Sequence, residues 1–408
     1  MIRTLRKTVF IFALVSLFCP LFAVYAESNT TQAPIVVGQI VEEKAWPELG
    51  LKHHKGVELA VDEINAAGGI HGRPIKLITR DGGTATPSDV LRNAEDLVNR
   101  DKVRFLIGTI ADNNSLAVET FAKQNKVFFI KGVNGSMRMT WQEGNKYFAK
   151  YGEPNYLFGG ALADAAAKTG AKRWAFVGPD YEFGHSVIDE FKKALLKKVP
   201  DAVMMKEYYF PIGKIDAPSV TQALQWDKPD GIFIALWGSD QVAFIREGTR
   251  RHLFDGKVMS SVLLGQPENF DVMKAEVPSG WITQGWPLDE ITVPEHKAFV
   301  AAYRKAYGED PGYFSYVGYN AMKALASAMD KAKDITPEAV STAIYGMQFN
   351  STAGTVDFRK SDGQSTVGLW VGKTAIVNGK PKLVDWTYES GDKYYPGDDY
   401  VKTVRPQQ

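Results

Sequence analysis

"AVDEINAAGGIHGRPIKLITRDGG", Ala60–Gly83, places three glycines, Gly68, Gly69 and Gly72, between one apolar segment and the next. A dinucleotide fingerprint needs such glycines after a strand and before a helix, so that the amides of the helix N-terminus face a phosphate. Here the order is reversed. Val57, Ala60, Val61 and Ile64 recur at helical spacing, so an amphipathic helix runs into the glycines. "RPIKLITRD" then reads as a strand with Pro74 at its start. The end of a helix dipole near these glycines is the wrong one for an anion. The glycines stop a helix and make a turn, and the stretch opens an alternating α/β chain.

The alternation continues outward. Before the stretch, "APIVVGQI" is a short strand; after it come "SDVLRNAEDLVNRD" (helix, with Ser88 or Asp89 as cap), "VRFLIGTI" (strand), "NSLAVETFAKQN" (helix) and "KVFFIKGV" (strand). A second run begins at "NYLFGGALADAAAKTG" and alternates through "AKRWAFVGPD", "PDGIFIALWG" and "KVMSSVLLG". Two long helices follow, "PEHKAFVAAYRKAYG" and "YFSYVGYNAMKALASAMDKA", and a β-rich finish. Such alternation predicts parallel sheets with helices on both faces, and 408 residues suit two of them.

The first residues read as an export signal rather than as fold. "MIRTLRK" carries three basic residues, an apolar run follows, and "VYA" ends at Ala26 with a small residue. Residues 1–26 are therefore expected to be removed and the mature chain to be periplasmic. Removing Arg3, Arg6 and Lys7 from 48 basic residues leaves them just outnumbered by 47 acidic ones, which gives no basic surface for nucleic acid. The single cysteine, Cys19, lies in the signal, so no disulfide framework, thiolate metal site or cysteine nucleophile is expected.

Chemistry-bearing motifs are absent or decoys. "GLWVGKT", Gly368–Thr374, is one residue short of a phosphate loop and has no helix after it. There is no G-x-S-x-G and no H-E-x-x-H, and His53 and His54 are adjacent, a poor metal pair on a helix. No enzyme, cofactor or metal is expected. What remains are strand ends, where open α/β sheets bind ligands. They carry Asp112, Asn113, Asn114, Ser115, Asn134 and Ser136 as polar groups, and Tyr181, Phe183 and Trp237 as apolar walls. Asp112–Ser115 also suits a helix N-cap, and the aromatic residues also suit a core.

"VELAVDEINAAGGIHGRPIKLITRDGGT", with "FLIGTIADNNSLAV", "WAFVGPDYEFGHSVIDEFKKAL" and "YVGYNAMKALASAMDKA", resembles the periplasmic branched-chain amino-acid binding proteins of ABC importers over nearly the whole mature chain. The resemblance implies a periplasmic binding protein-like fold: two doubly wound α/β lobes joined by three hinge strands and closing on a ligand. Lobe one is expected from Pro34 to Glu153 and Thr283 to Asn350, lobe two from Pro154 to Ile282 and Ser351 to Tyr400. It implies a monomer that hands a small molecule to a membrane permease; a soluble sensor for a membrane receptor is the alternative, and a secreted enzyme a remoter one.

Carried over by position, the resemblance breaks at the polar groups. Where the amino-acid binders hold the ligand carboxylate with hydroxyl residues, this chain has Asp112 and Gly135, with Ser136 beside it. Where an acid holds the ammonium, it has Val262 or Leu263, with Glu268 further on. The aromatic positions Phe183 and Trp237 persist, and Trp46 lies in the first loop. The expected site is Trp46, Asp112, Asn113, Ser115, Asn134, Ser136, Tyr181, Phe183 and Trp237. Its expected ligand is amino-acid-like, an amide or an aromatic compound, with Asp112 selecting hydrogen-bond donors. Lys131 points either to an acidic ligand or to solvent.

Overall fold

The computed structural model describes residues 33–406; the expected signal, residues 1–26 with Cys19, lies outside them. In the first part of the chain the elements are β1 (Ile35–Val41), α1 (Pro47–Ala66), β2 (Ile75–Asp81), α2 (Pro87–Asn99), β3 (Phe105–Gly108), α3 (Asp112–Asn125), β4 (Phe128–Lys131) and β5 (Phe148–Lys150). The middle holds α4 (Asn155–Ala167), β6 (Arg173–Pro179), α5 (Glu182–Lys198), β7 (Val203–Phe210), α6 (Ala217–Asp227), β8 (Gly231–Ile234), α7 (Gly238–Arg250), β9 (Val258–Gly265), α8 (Pro267–Met273) and β10 (Ile282–Gly285). The last part holds α9 (Pro294–Tyr307), α10 (Tyr313–Lys331), α11 (Pro337–Ile344), β11 (Gln348–Ser351), β12 (Gly354–Asp357), β13 (Leu369–Val377), β14 (Lys380–Glu389) and α12 (Asp398–Val404).

The opening stretch folds as its pattern dictates. Val57, Ala60, Val61 and Ile64 are buried along α1. Gly68, Gly69 and Gly72 take φ of 103°, 73° and 76°, the left-handed region that side chains resist. The Gly69 amide closes the helix on the Ile64 carbonyl at 2.9 Å, and a Cβ on Gly69 would lie 2.1 Å from the Arg73 carbonyl oxygen. Earlier in the same helix, a Cβ on Gly56 would lie 2.1 Å from the Ser315 carbonyl oxygen, so α1 and α10 touch backbone to backbone.

Two sheets result. One is parallel, in the order β2-β1-β3-β4-β5. The other runs β14-β13-β10-β9-β8-β6-β7, parallel except where β13 and β14 join antiparallel. Their central strands are short buried apolar runs, "FLIG" in β3, "FFIK" in β4 and "GIFI" in β8, as expected of parallel strands covered on both faces. Each lobe has apolar clusters on its sheet. The chain crosses between lobes three times: between β5 and α4, between β10 and α9, and between β12 and β13.

Some sequence expectations need correction. Thr283–Gly285, expected in lobe one, pair in the seven-stranded sheet with β9 and β13. Val356 and Phe358, expected in lobe two, bury in the first lobe's core, because the β11–β12 hairpin packs there before the chain returns. The cap of α2 is Thr86, whose hydroxyl accepts from the Asp89 amide; Pro87 takes the first helical position, so neither Ser88 nor Asp89 can be the cap. Ala111 precedes α3, so Asp112 lies within its first turn instead of capping it.

Candidate functional site

The two switch points of the sheets, between β1 and β3 in one lobe and between β6 and β8 in the other, face one cavity of about 530 Å³. The β1–α1 loop brings Trp46, the first turn of α3 brings Asp112, and the loop after β4 brings Asn134. From the other lobe come Tyr181 and Phe183 after β6 and Trp237 after β8; all six line the cavity. Trp46 meets Trp237 edge to face, with ring centroids 5.0 Å apart, so an aromatic pair spans the two lobes. The Trp237 indole donates to the Tyr181 hydroxyl at 3.1 Å. Burial pushes the Tyr181 hydroxyl well above its ordinary pKa, so it stays protonated.

Asn113, Ser115 and Ser136 do not line the cavity. Ser115 is one turn into α3 and turns to the sheet, where its hydroxyl pairs with Thr109 at 2.7 Å. The Ser136 hydroxyl caps the short turn after β4, accepting from the Arg138 amide at 3.0 Å, and donates to Glu182 of the other lobe. Asn113 is partly buried beside Asp112, and its amide oxygen has no protein partner.

Beneath the cavity wall lies an ion pair. Lys131 is fully buried, and its ammonium donates to Asp112 Oδ1 at 3.1 Å, to Ser115 Oγ at 2.6 Å and to the Ile110 carbonyl at 3.2 Å. It faces neither solvent nor the cavity. Asp112 Oδ2 accepts from the Ser136 amide at 3.0 Å and from the Asn155 side chain at 3.4 Å. Asn155 opens α4 in the other lobe, so the Asn155–Asp112 bond crosses the lobes; within its own lobe Asn155 donates to Ser186 at 2.6 Å. Lys150, also fully buried, donates to the carbonyls of Gly135 at 2.8 Å and Ser136 at 3.1 Å, and burial pushes its pKa down to about 7. Lys150 thus holds the loop that carries Asn134 directly, and Lys131 holds it only through Asp112 and the Ser136 amide. Glu42 fixes the other edge: its carboxylate accepts from the Ile110 amide at 2.8 Å and the Asn114 side chain at 2.9 Å, and burial raises its pKa.

The sequence reading passed over part of the wall. Phe314 enters from α10, far along the chain from Trp237, the last of the singled-out aromatics, and Ile212 and Val272 add apolar surface at the second lobe. Leu263 and Glu268, both named from the sequence near the position of an ammonium-holding acid, do line the wall, together with Gln266 between β9 and α8. Glu268 is buried, which raises its pKa; one oxygen accepts from the Phe314 amide at 3.1 Å across the lobes, and the other has no protein partner. Among the described residues no His, Cys, Asp and Glu cluster has the makings of a metal site, and no helix is long and apolar enough to cross a membrane.

Two switch-point edges around one interlobe cavity define a clamshell solute-binding protein. Residues 38–380 match the family model described as periplasmic binding protein, and the chain belongs to that family. It is 25% identical over 326 residues to Leu/Ile/Val-binding protein homolog 7 of Brucella abortus, covering 74% of this chain and 78% of that one. It superposes on a solute-binding protein of an ABC transporter from Rhodopseudomonas palustris in complex with 3,4-dihydroxy benzoic acid. The TM-score there is 0.77 at 22% identity, covering 88% of this chain and 98% of that one. A branched-chain amino acid transporter substrate-binding protein from Streptococcus pneumoniae in complex with isoleucine has the same fold. Its TM-score is 0.76 at 20% identity, covering 88% and 99%. The chain is a solute-binding protein of a family that works in the periplasm.

Proposed function

We propose that this chain captures a small, partly apolar molecule in its interlobe cavity and delivers it to the permease of an ABC importer. The observation that carries the reading is the Trp46–Trp237 contact over a cavity bounded by the switch-point edges of both lobes. A ligand held there is reached by both lobes at once, so binding and lobe closure are one event. Trp46, Tyr181, Phe183 and Trp237 supply apolar walls, and Asn134 a neutral amide that donates and accepts. A solute-binding protein in complex with 3,4-dihydroxy benzoic acid and one in complex with isoleucine, built on this fold, support a solute of that size. Residues 1–26 act as the export signal, and the mature chain works as a monomer.

The experiment is native mass spectrometry of protein purified from growth medium rich in small molecules, followed by small-angle scattering with and without the retained solute. One retained molecule per chain and a smaller radius on saturation are expected. Retention of nothing, with an unchanged radius, refutes the proposal. Loss of uptake of that molecule on deleting the gene tests the importer role.

A further inference from the structure

We infer that the cleft selects solutes that carry no carboxylate, because the Asp112 side chain, with Lys131 as its counter-ion, already fills the place of one. The inference rests on the cavity being the solute site.

The donors around Asp112, Lys131 among them, are spent inside the protein. The Lys131 ammonium is taken by Asp112, Ser115 and the Ile110 carbonyl. The Ser136 amide and the Asn155 side chain are taken by the second Asp112 oxygen. The chain also keeps room for this arrangement. A Cβ on Gly135 would lie 2.4 Å from Asp112 Oδ1, so any larger residue there collides with the carboxylate.

The helix dipoles are spent in the same way. Six helices begin at the cavity, α1, α3, α5, α7, α8 and α10; the first five carry an acid in the first turn, Glu48, Asp112, Glu182, Asp240 and Glu268, and α10, which has none, is met by Glu268 from the other lobe. An acid there answers the positive end of the helix, the feature that otherwise attracts an anion. Asp240 also accepts from the amides of Gly213 at 2.6 Å and Ile215 at 3.2 Å, and Glu268 from the first turn of α10. Among the described residues lining the cavity, Arg246 carries the one positive charge, and Glu276 holds it in a two-point pair at 2.6 and 2.9 Å on the exposed rim.

A carboxylate entering this cavity would lose its water and meet no free cation, a combination that buried charges do not tolerate. A neutral solute meets no such penalty. The aromatic walls take its apolar body, and Asn134 and Ser239 offer it neutral polar groups. The solute class is thus an uncharged molecule with an apolar or aromatic body and an amide or hydroxyl group.

Matched pairs test the rule: benzoate against benzamide, and phenylacetate against phenylacetamide, measured by calorimetry on the wild-type chain and on Asp112→Asn. The wild-type chain is expected to prefer each amide over its acid at least tenfold. Asp112→Asn leaves Lys131 without its counter-ion and is expected to shift that ratio at least tenfold toward the acid. Wild-type binding of an acid as tightly as its amide overturns the inference, as does a folded Asp112→Asn with an unchanged ratio. The wild-type comparison stands even if the variant does not fold. A carboxylate-bearing solute retained in the cleft on purification defeats this inference alone. Retention of no solute, and binding of no pair member by either protein, defeats the solute-binding reading and this inference with it.

Discussion

Lys131→Met removes the cation beneath the cavity and leaves Asp112 buried without its counter-charge. Both partners are almost wholly inaccessible, at 0% and 2% side-chain exposure, so solvent does not take over the lost role. At 3.1 Å the pair attracts by about 5 kcal/mol in an effective dielectric of about 20. The net cost is smaller, because the Ser136 amide and the Asn155 side chain still bond Asp112. The methionine recovers apolar packing but leaves the Ser115 hydroxyl and the Ile110 carbonyl one donor short. A loss of about 3 kcal/mol follows, the lower end for breaking a buried pair. The double variant Lys131→Met with Asp112→Asn removes both charges and recovers about 1–2 kcal/mol of it. Urea unfolding of the four proteins, followed by far-ultraviolet circular dichroism, measures the cycle. A loss below about 1 kcal/mol in the single variant, or strict additivity in the double, refutes the counter-ion reasoning.

Trp237→Ala removes one wall of the cavity and the partner of Trp46; it is expected to weaken binding of the retained solute at least tenfold in calorimetry, with little change in the thermal melt. Glu153, pushed up to about 7 by burial, contributes stability below pH 4.5 that is lost as pH rises to about 7, so Glu153→Gln is expected to flatten the pH profile of unfolding in that window. Lys150, pushed down to about 7, is neutral in the folded chain where the unfolded chain is charged, so its effect is a rise in stability from about pH 7 to 10.5; Lys150→Met is expected to flatten that limb. Gly69→Ala forces a side chain into φ 73° and against the Arg73 carbonyl, and is expected to cost more than about 1 kcal/mol in urea unfolding.

The alternation of elements was legible because each strand and helix announces itself locally. The helical spacing of Val57, Ala60, Val61 and Ile64 and the glycines after them needed no tertiary knowledge. Short pieces were not: β5 is three residues, "FAK", held by its neighbours β4 and the stretch at Gly363–Ser365 instead of by its own pattern. At the cavity, topology placed Trp46, Asp112, Asn134, Tyr181, Phe183 and Trp237 around one space, since each follows a strand at the carboxyl edge of its sheet. Side-chain direction was the illegible part. Ser115 and Ser136 sit beside the right residues but turn away, toward Lys131 and Glu182. That Lys131 ends beneath the cavity, neutralising Asp112, depends on the facing of a four-residue strand buried on both sides, where alternation leaves no mark.

The backbone contact of α1 with α10 sets an order of assembly. Gly56 and Ser315 are far apart in the chain, and the first lobe's core also needs Phe349, Val356 and Phe358. The first five strands therefore depend on a helix from late in the chain to cover them. The middle lobe closes most of its sheet from one unbroken run, β6 to β10, and needs only the β13–β14 hairpin at its edge. Loop closure across such spans is slow, and local contacts form first. On refolding, the middle lobe is expected to gain structure before the first, with the α1 face bearing Val57 and Val61 exposed until α10 docks on it.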